Sequence, residues 1–180
     1  MTKKELRNTI RKLKQTYTKT QLQNFSDRIN FSIFEDGVWR VTNTILMYYP
    51  MPDEVDIRPL ILKAKSQGKT VLLPKVVGDD LQIMVYESEN SLKQGAYGIY
   101  EPDSVIFPET RYSEIDMAII PGMAFDKFGH RLGRGKGYYD KLFVKMSETF
   151  KIGVGFPFQI FEEIPFDEFD IKMDEVVWRD

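Results

Sequence analysis

Two runs of consecutive apolar residues, Ile45-Leu-Met-Tyr-Tyr49 and Met117-Ala-Ile-Ile120, stand out in a chain otherwise rich in charge. A strand that is apolar at nearly every position has no face to give to water and must be covered on both sides. Helical spacing lies among such runs: Ile57, Leu60, Ile61 and Ala64 repeat as one face of a helix over Ile57–Ser66, closed by Gly68. A further helix is expected over Tyr138–Met146. Strands are expected at Thr44–Tyr49, Thr70–Leu73, Leu81–Glu87, Ile115–Ile120, Ile152–Phe156 and Glu175–Trp178. This alternation specifies an α/β fold of three layers, a mostly parallel sheet flanked by helices, Rossmann-like, in one domain over residues 1–180. Such sheets bind ligands at the loops leaving the carboxyl ends of their strands. Here those loops are Pro50–Asp56, Pro74–Asp80 and Pro121–Gly137.

Before the first strand the pattern is helical. Thr2 is a good N-cap, and Leu6, Ile10, Leu13 and Tyr17 follow it as an apolar stripe, with Lys3, Arg7, Arg11 and Lys14 on an adjacent one. A second helix is expected from Thr20 to about Phe34, with Leu22, Phe25, Ile29 and Ile33 inward. With 42% hydrophobic and 13% aromatic residues the chain can bury a sizeable core. It has no cysteine and one histidine, which removes disulfides, cysteine nucleophiles and thiolate metal sites and leaves no basis for zinc. Charges stand where a signal peptide needs an apolar run, and no stretch approaches the ~18 apolar residues of a membrane span. A soluble, cytoplasmic protein is expected.

Net charge is −2, so no general basic field favours nucleic acid. The distribution is uneven: residues 1–20 hold seven basic side chains against one acidic, and residues 161–180 eight acidic against two basic. Two readings stay open, solvated ends of opposite sign, or a polyanion held by basic groups with its metal held by carboxylates.

The most informative segment is Pro121-Gly-Met-Ala-Phe-Asp-Lys-Phe-Gly-His-Arg-Leu-Gly-Arg-Gly-Lys-Gly-Tyr-Tyr-Asp140. Gly133, Gly135 and Gly137 permit positive backbone dihedrals, so that amides converge on an anion. Arg131, Arg134 and Lys136 add charge there, and the start of a helix follows. Neither standard nucleotide motif fits: His130 and Gly137 occupy the places where a P-loop needs glycine and a hydroxyl residue, and the third glycine of a dinucleotide fingerprint is missing.

Arg131-Leu-Gly-Arg-Gly-Lys-Gly-Tyr-Tyr-Asp140, preceded by Pro-Gly-x-x-Phe-Asp-x-x-Gly, resembles the signature of the 5-formyltetrahydrofolate cyclo-ligases, also called methenyltetrahydrofolate synthetases. Lys3-Lys-Glu-Leu-Arg7 resembles the opening basic helix of that family, Met51-Pro-Asp-Glu-Val-Asp56 its substrate loop, and Asp170-Ile-Lys-Met-Asp-Glu-Val-Val177 its closing segment. The resemblance implies an enzyme that converts 5-formyltetrahydrofolate and ATP into 5,10-methenyltetrahydrofolate, ADP and phosphate with magnesium. It implies ATP contacts from Lys3, Arg7, Arg131, Gly133, Arg134, Gly135, Lys136, Gly137, Tyr138 and Tyr139, with Arg134 and Lys136 catalytic. It implies folate contacts from Tyr49, Glu54, Tyr97, Arg134 and Tyr138, and magnesium at Asp140 and Asp170. Asp167 and Asp174 remain alternatives for the metal. Pro74 and Lys75 are expected on the pocket wall, while Lys4, Arg11 and Lys14 are read as surface and His130 as incidental. Tyr97 stands where relatives often carry tryptophan. The implied partners are the folate and ATP alone, with neither nucleic acid nor membrane, in a monomer. Two other classes compete: a sugar-phosphate isomerase or acyl-CoA transferase on a similar scaffold, and a non-enzymatic nucleotide- or RNA-binding module.

Overall fold

The structure is a computed structural model and describes residues 1–95 and 98–180. Its first helix, α1 (Lys3–Lys14), begins in a reciprocal cap: Thr2 Oγ1 accepts from Glu5 N at 3.2 Å, and the Glu5 carboxylate accepts from Thr2 N at 2.7 Å. Thr18 and Gln21 start α2 (Lys19–Glu35) in the same way, and the Asp36 side chain caps the short α3 (Gly37–Val41). The alternating region follows as β1 (Thr44–Leu46), α4 (Arg58–Ser66), β2 (Thr70–Val77), β3 (Asp80–Val85), β4 (Leu92–Gln94), β5 (Tyr100–Pro102), β6 (Met117–Pro121), β7 (Ala124–Asp126), β8 (Arg131–Leu132), α5 (Tyr138–Val144), β9 (Phe150–Val154), β10 (Ile160–Phe161) and β11 (Glu175–Val177).

The main sheet runs β11-β9-β6-β1-β2-β3, with the first five strands parallel and β3 antiparallel at one edge. Its strands send alternate side chains to two cores. Ile45, Met47, Val71, Leu73, Met117 and Ile119 meet Ile29 and Ile33 of α2 and Leu60, Ile61 and Ala64 of α4. Leu46, Leu72, Ala118 and Ile120 meet Leu142 and Phe143 of α5 and Tyr112. The continuous apolar runs are thus explained by burial on both faces. The three-layer, mostly parallel architecture expected from the sequence is present.

Two expected loops contain strands: Pro121–Gly137 carries β7 and β8, and Pro74–Asp80 is mostly taken up by the end of β2. The sequence ends β2 at Leu73 because Pro74 follows, but β2 continues to Val77 and turns at Gly78, with φ of +62°, into β3. The Val71 carbonyl accepts from Tyr86, just past the end of β3, and the Leu72 carbonyl from Met47 on the β1 side. By that alternation Pro74 faces the β1 side, where β1 has already ended at Leu46, so its missing N–H costs no ladder bond. Helix α5 also stops at Val144, two residues short of its expected end.

A small sheet, β10-β7-β8, flanks the main one. Leu6 and Ile10 of α1 are buried against its Ala124 and Leu132, together with Met123 and Ile164. The helix is therefore seated on the hairpin that carries Arg131. Among the described residues, no helix is long and apolar enough to cross a membrane.

Candidate active site

At the carboxyl ends of β1, β2 and β6 a cavity of about 580 Å³ opens, in the position where open parallel sheets bind ligands. Lys3, Arg7, Tyr49, Glu54, Arg131, Gly133, Arg134, Gly135, Lys136, Gly137, Tyr138, Tyr139, Asp140 and Asp170 all line it. Residues from four separate stretches of sequence are thereby brought together. Tyr97 lies outside the described residues.

The glycine–arginine loop forms one wall, and its glycines do different jobs. Gly135 and Gly137 take positive φ, +107° and +67°, a region that side chains disfavour. Gly133 does not; there a Cβ would stand 2.9 Å from Arg131 Nη1, so this glycine makes room for a guanidinium. Of the three glycines that permit positive φ, two take it. Arg131 is buried, donates to the Pro121 carbonyl at 3.2 Å, lies 3.6 Å from Asp140 Oδ2 and covers the Tyr139 ring at 5.3 Å. Burial raises the Tyr139 phenol above its ordinary pKa and keeps it neutral. Tyr138 sits at the mouth with its hydroxyl 3.5 Å from the Gly78 carbonyl.

Helix α1 reaches three of the walls. Arg7 Nε donates to the Gly133 carbonyl at 2.8 Å. Lys3 Nζ lies 2.6 Å from Asp167 and 2.5 Å from Asp170. Partial burial works against the Lys3 charge, but the two aspartates outweigh it and raise its pKa. At the other end of the helix Lys14, read from sequence as surface, has a side chain only 10% exposed and a 3.1 Å contact with Asp53 Oδ2. Lys4 and Arg11 are exposed, as expected.

The loop after β1 supplies the opposite wall. Arg134 Nη2 lies 2.7 Å from Asp53 Oδ1 and 3.0 Å from Glu54 Oε1. The second Glu54 oxygen accepts from Met51 N at 3.0 Å, which fixes the carboxylate plane. Burial opposes the charge of Asp53, yet Lys14 and Arg134 hold its carboxyl below the ordinary range. Tyr49 packs edge-on against Tyr100, centroids 5.9 Å apart. Tyr100 and Glu101 also line the cavity and were not singled out from sequence; an aromatic in a short strand gives no signal of what it faces. Pro74 is on the wall, as expected, but Lys75 is not: it turns away to Asp103 at 3.4 Å.

The acidic tail closes the site. Asp140 Oδ1 accepts from Ile171 N at 3.3 Å, joining α5 to the tail. Asp167 and Asp170 line the cavity, whereas Asp174 pairs with Lys151 at 3.0 Å on the sheet, which removes it as a candidate ligand. His130 is buried: its Nδ1 lies 2.9 Å from Asp126 Oδ2 and its ring stacks on Phe166 at 3.9 Å. It does not line the cavity.

Comparisons with known proteins converge on one family. The model of the 5-formyltetrahydrofolate cyclo-ligase family matches residues 1–179. A probable 5-formyltetrahydrofolate cyclo-ligase of Schizosaccharomyces pombe is 35% identical over 158 residues, covering 77% of this chain and 76% of its own. The 5-formyltetrahydrofolate cyclo-ligase of Mus musculus is 34% identical over 148 residues, covering 76% and 73%. The NMR structure of Aquifex aeolicus 5,10-methenyltetrahydrofolate synthetase superposes with a TM-score of 0.85 at 32% identity, over 98% of this chain and 89% of that one. Since the match runs from the basic helix through the glycine–arginine loop to the acidic tail, the chain belongs to the 5-formyltetrahydrofolate cyclo-ligase family and is an enzyme of that kind.

Proposed function

We propose that the cavity holds ATP, magnesium and 5-formyltetrahydrofolate together, and that ATP activates the formyl oxygen before the folate ring closes. The observation that carries this reading is Arg134, which belongs to the cationic glycine loop yet is paired with Glu54 of the opposite wall at 3.0 Å. It marks the boundary between a phosphate end and a folate end of one cavity.

A formamide oxygen is a poor leaving group. The γ-phosphoryl group passes from ATP to that oxygen, releasing ADP. N10 then attacks the formyl carbon, the C–O bond breaks, inorganic phosphate departs with the oxygen, and the N10 proton is lost. Phosphoryl transfer asks the protein mainly for positioning and charge neutralisation. Arg131, Lys3 and Arg7 hold the triphosphate with the amides of Gly133, Gly135 and Gly137. Arg134 and Lys136 neutralise the transferring group, and Tyr138 and Tyr139 flank it. Glu54 accepts two hydrogen bonds from the amino and amide edge of the pteridine, with Tyr49 against the ring and Tyr97 a further folate contact.

Asp140 and Asp170 are the residues that would hold magnesium. They fit in donor type, being carboxylates on two walls that the Asp140–Ile171 hydrogen bond ties together. Among the described residues no cluster of three or more metal-binding side chains exists; magnesium suits such a site because it takes one or two carboxylates plus phosphate oxygens and water. Bound there, the ion neutralises triphosphate charge. Small molecules are the only partners this reading needs, and it places the enzyme in the cytoplasm as a monomer.

The test is to mix the purified protein with 5-formyltetrahydrofolate, ATP and magnesium and follow the near-ultraviolet band of methenyltetrahydrofolate. Growth of the band that stops when either ATP or magnesium is withheld is the expected result. Turnover that persists without ATP overturns the reading.

A further inference from the structure

Lys14 has two unusual features for a lysine near the end of a surface helix. Its side chain is 10% exposed, and its ammonium donates to both the backbone carbonyl and the carboxylate of Asp53. Desolvating an ammonium is costly unless acceptors replace its water, and Asp53 supplies both of them. Burial lowers the Lys14 pKa in spite of this partner. The same carboxylate uses its other oxygen to hold Arg134, at 2.7 Å. The chain Lys14–Asp53–Arg134–Glu54 thus crosses from α1 to the boundary of the two ends of the cavity.

We infer that Lys14 is a positioning residue for the cyclo-ligase reaction, acting through Asp53 to hold Arg134 in place and leave Glu54 available to the folate. The inference rests on the roles proposed above for Arg134 and Glu54. Asp53 and Glu54 compete for one guanidinium. Asp53 is 45% exposed and stays in the competition because Lys14 holds it, both by its backbone and by its carboxylate. Without Lys14, Asp53 turns to solvent and Arg134 closes onto Glu54, whose carboxylate is only 11% exposed. The folate must then displace a full ion pair instead of a shared one. The chain reaches the phosphate end only through Arg134 and does not touch Lys3, Arg7 or Arg131, which hold the triphosphate, so KM for ATP changes far less than KM for folate.

The test is a double-mutant cycle read on kcat and on the separate KM values for folate and ATP. Lys14→Met is expected to lower kcat/KM for folate about tenfold, with KM for ATP changed less than about twofold, and Lys14→Arg to recover most of the loss. In an Arg134→Ala background Lys14→Met is expected to have no further effect, because its route is already cut. If Lys14→Met does not fold, Asp53→Asn interrupts the same route and is expected to give the same selective loss and the same lack of additivity. Losses that multiply in the double variant, or equal damage to both KM values, overturn the inference and leave the reading of the site intact. Wild-type kcat/KM in Arg134→Ala alone overturns the reading of the site, and the inference with it.

Discussion

Replacing Asp126 with alanine removes the acceptor for four donors at once. The carboxylate is fully buried. Its Oδ1 accepts from Phe128 N and His130 N, each at 3.0 Å, and its Oδ2 lies 2.9 Å from His130 Nδ1 and accepts from Ile164 N at 3.1 Å. These bonds clasp the β7–β8 hairpin, which carries Arg131, to the start of the tail that carries Asp167 and Asp170. Two of the orphaned amides, those of His130 and Ile164, are buried, and a buried unsatisfied donor costs about 1–3 kcal/mol. Allowing for partial relaxation, Asp126→Ala is expected to destabilise the fold by about 3–5 kcal/mol. In a chain of this size that corresponds to a fall in Tm of roughly 6–20 °C, measured by circular dichroism. The pH dependence follows from the same contacts. Burial opposes ionisation of Asp126, but the hydrogen bonds prevail and its pKa lies below the ordinary 3.8. A depressed carboxyl contributes stability that is complete above the unfolded pKa of about 4 and is lost as pH falls through the folded value. The wild-type urea midpoint should therefore fall on acidification below about pH 4 more steeply than that of Asp126→Ala. A Tm within 2 °C of wild type, ~0.5–1 kcal/mol on this scale, would refute the clasp.

Four further predictions concern the cavity. Arg134→Ala should lower kcat about 10²-fold or more, as loss of a donor at a developing charge does, while Glu54→Gln should raise KM for folate about tenfold or more with a smaller change in KM for ATP; steady-state kinetics separates the two. Gly133→Ala places a Cβ 2.9 Å from the buried Arg131 guanidinium, so overpacking of about 1–3 kcal/mol is expected, with a higher KM for ATP, read by Tm and kinetics. Lys3→Ala removes the ion pairs to Asp167 and Asp170; amides 167–171 should exchange faster by mass spectrometry, and KM for ATP should rise about tenfold or more.

Much of the fold was legible because burial on both faces leaves a plain mark: the runs that begin at Ile45 and Met117 supply the central strands β1 and β6, although β1 ends at Leu46 and not at the expected Tyr49. The glycine–arginine segment was legible because three glycines and three cations within seven residues serve no ordinary surface turn. Legibility failed where a side chain has two possible surroundings. Lys14 shares the helical spacing of Arg11, and sequence does not say that the loop with Asp53 folds over one and leaves the other in water. Pro74 reads as the end of a strand unless the early end of β1 is known. His130 reads as incidental, yet its ring and amide help seat a tail thirty-odd residues away. Asp126 belongs to the Phe-Asp-x-x-Gly block, but its clasp depends on Ile164, which only tertiary structure brings near. The isomerase, acyl-CoA transferase and RNA-binding alternatives give way to family membership across residues 1–179.

The most direct measurement uses 5-formyltetrahydrofolate labelled with ¹⁸O in the formyl group, turned over with unlabelled ATP in ordinary water. Transfer of the γ-phosphoryl group to the formyl oxygen predicts that each molecule of inorganic phosphate released with methenyltetrahydrofolate carries the label, seen by mass spectrometry. Unlabelled phosphate, with the ¹⁸O recovered in water, would contradict activation of that oxygen and with it the proposed function of the cavity.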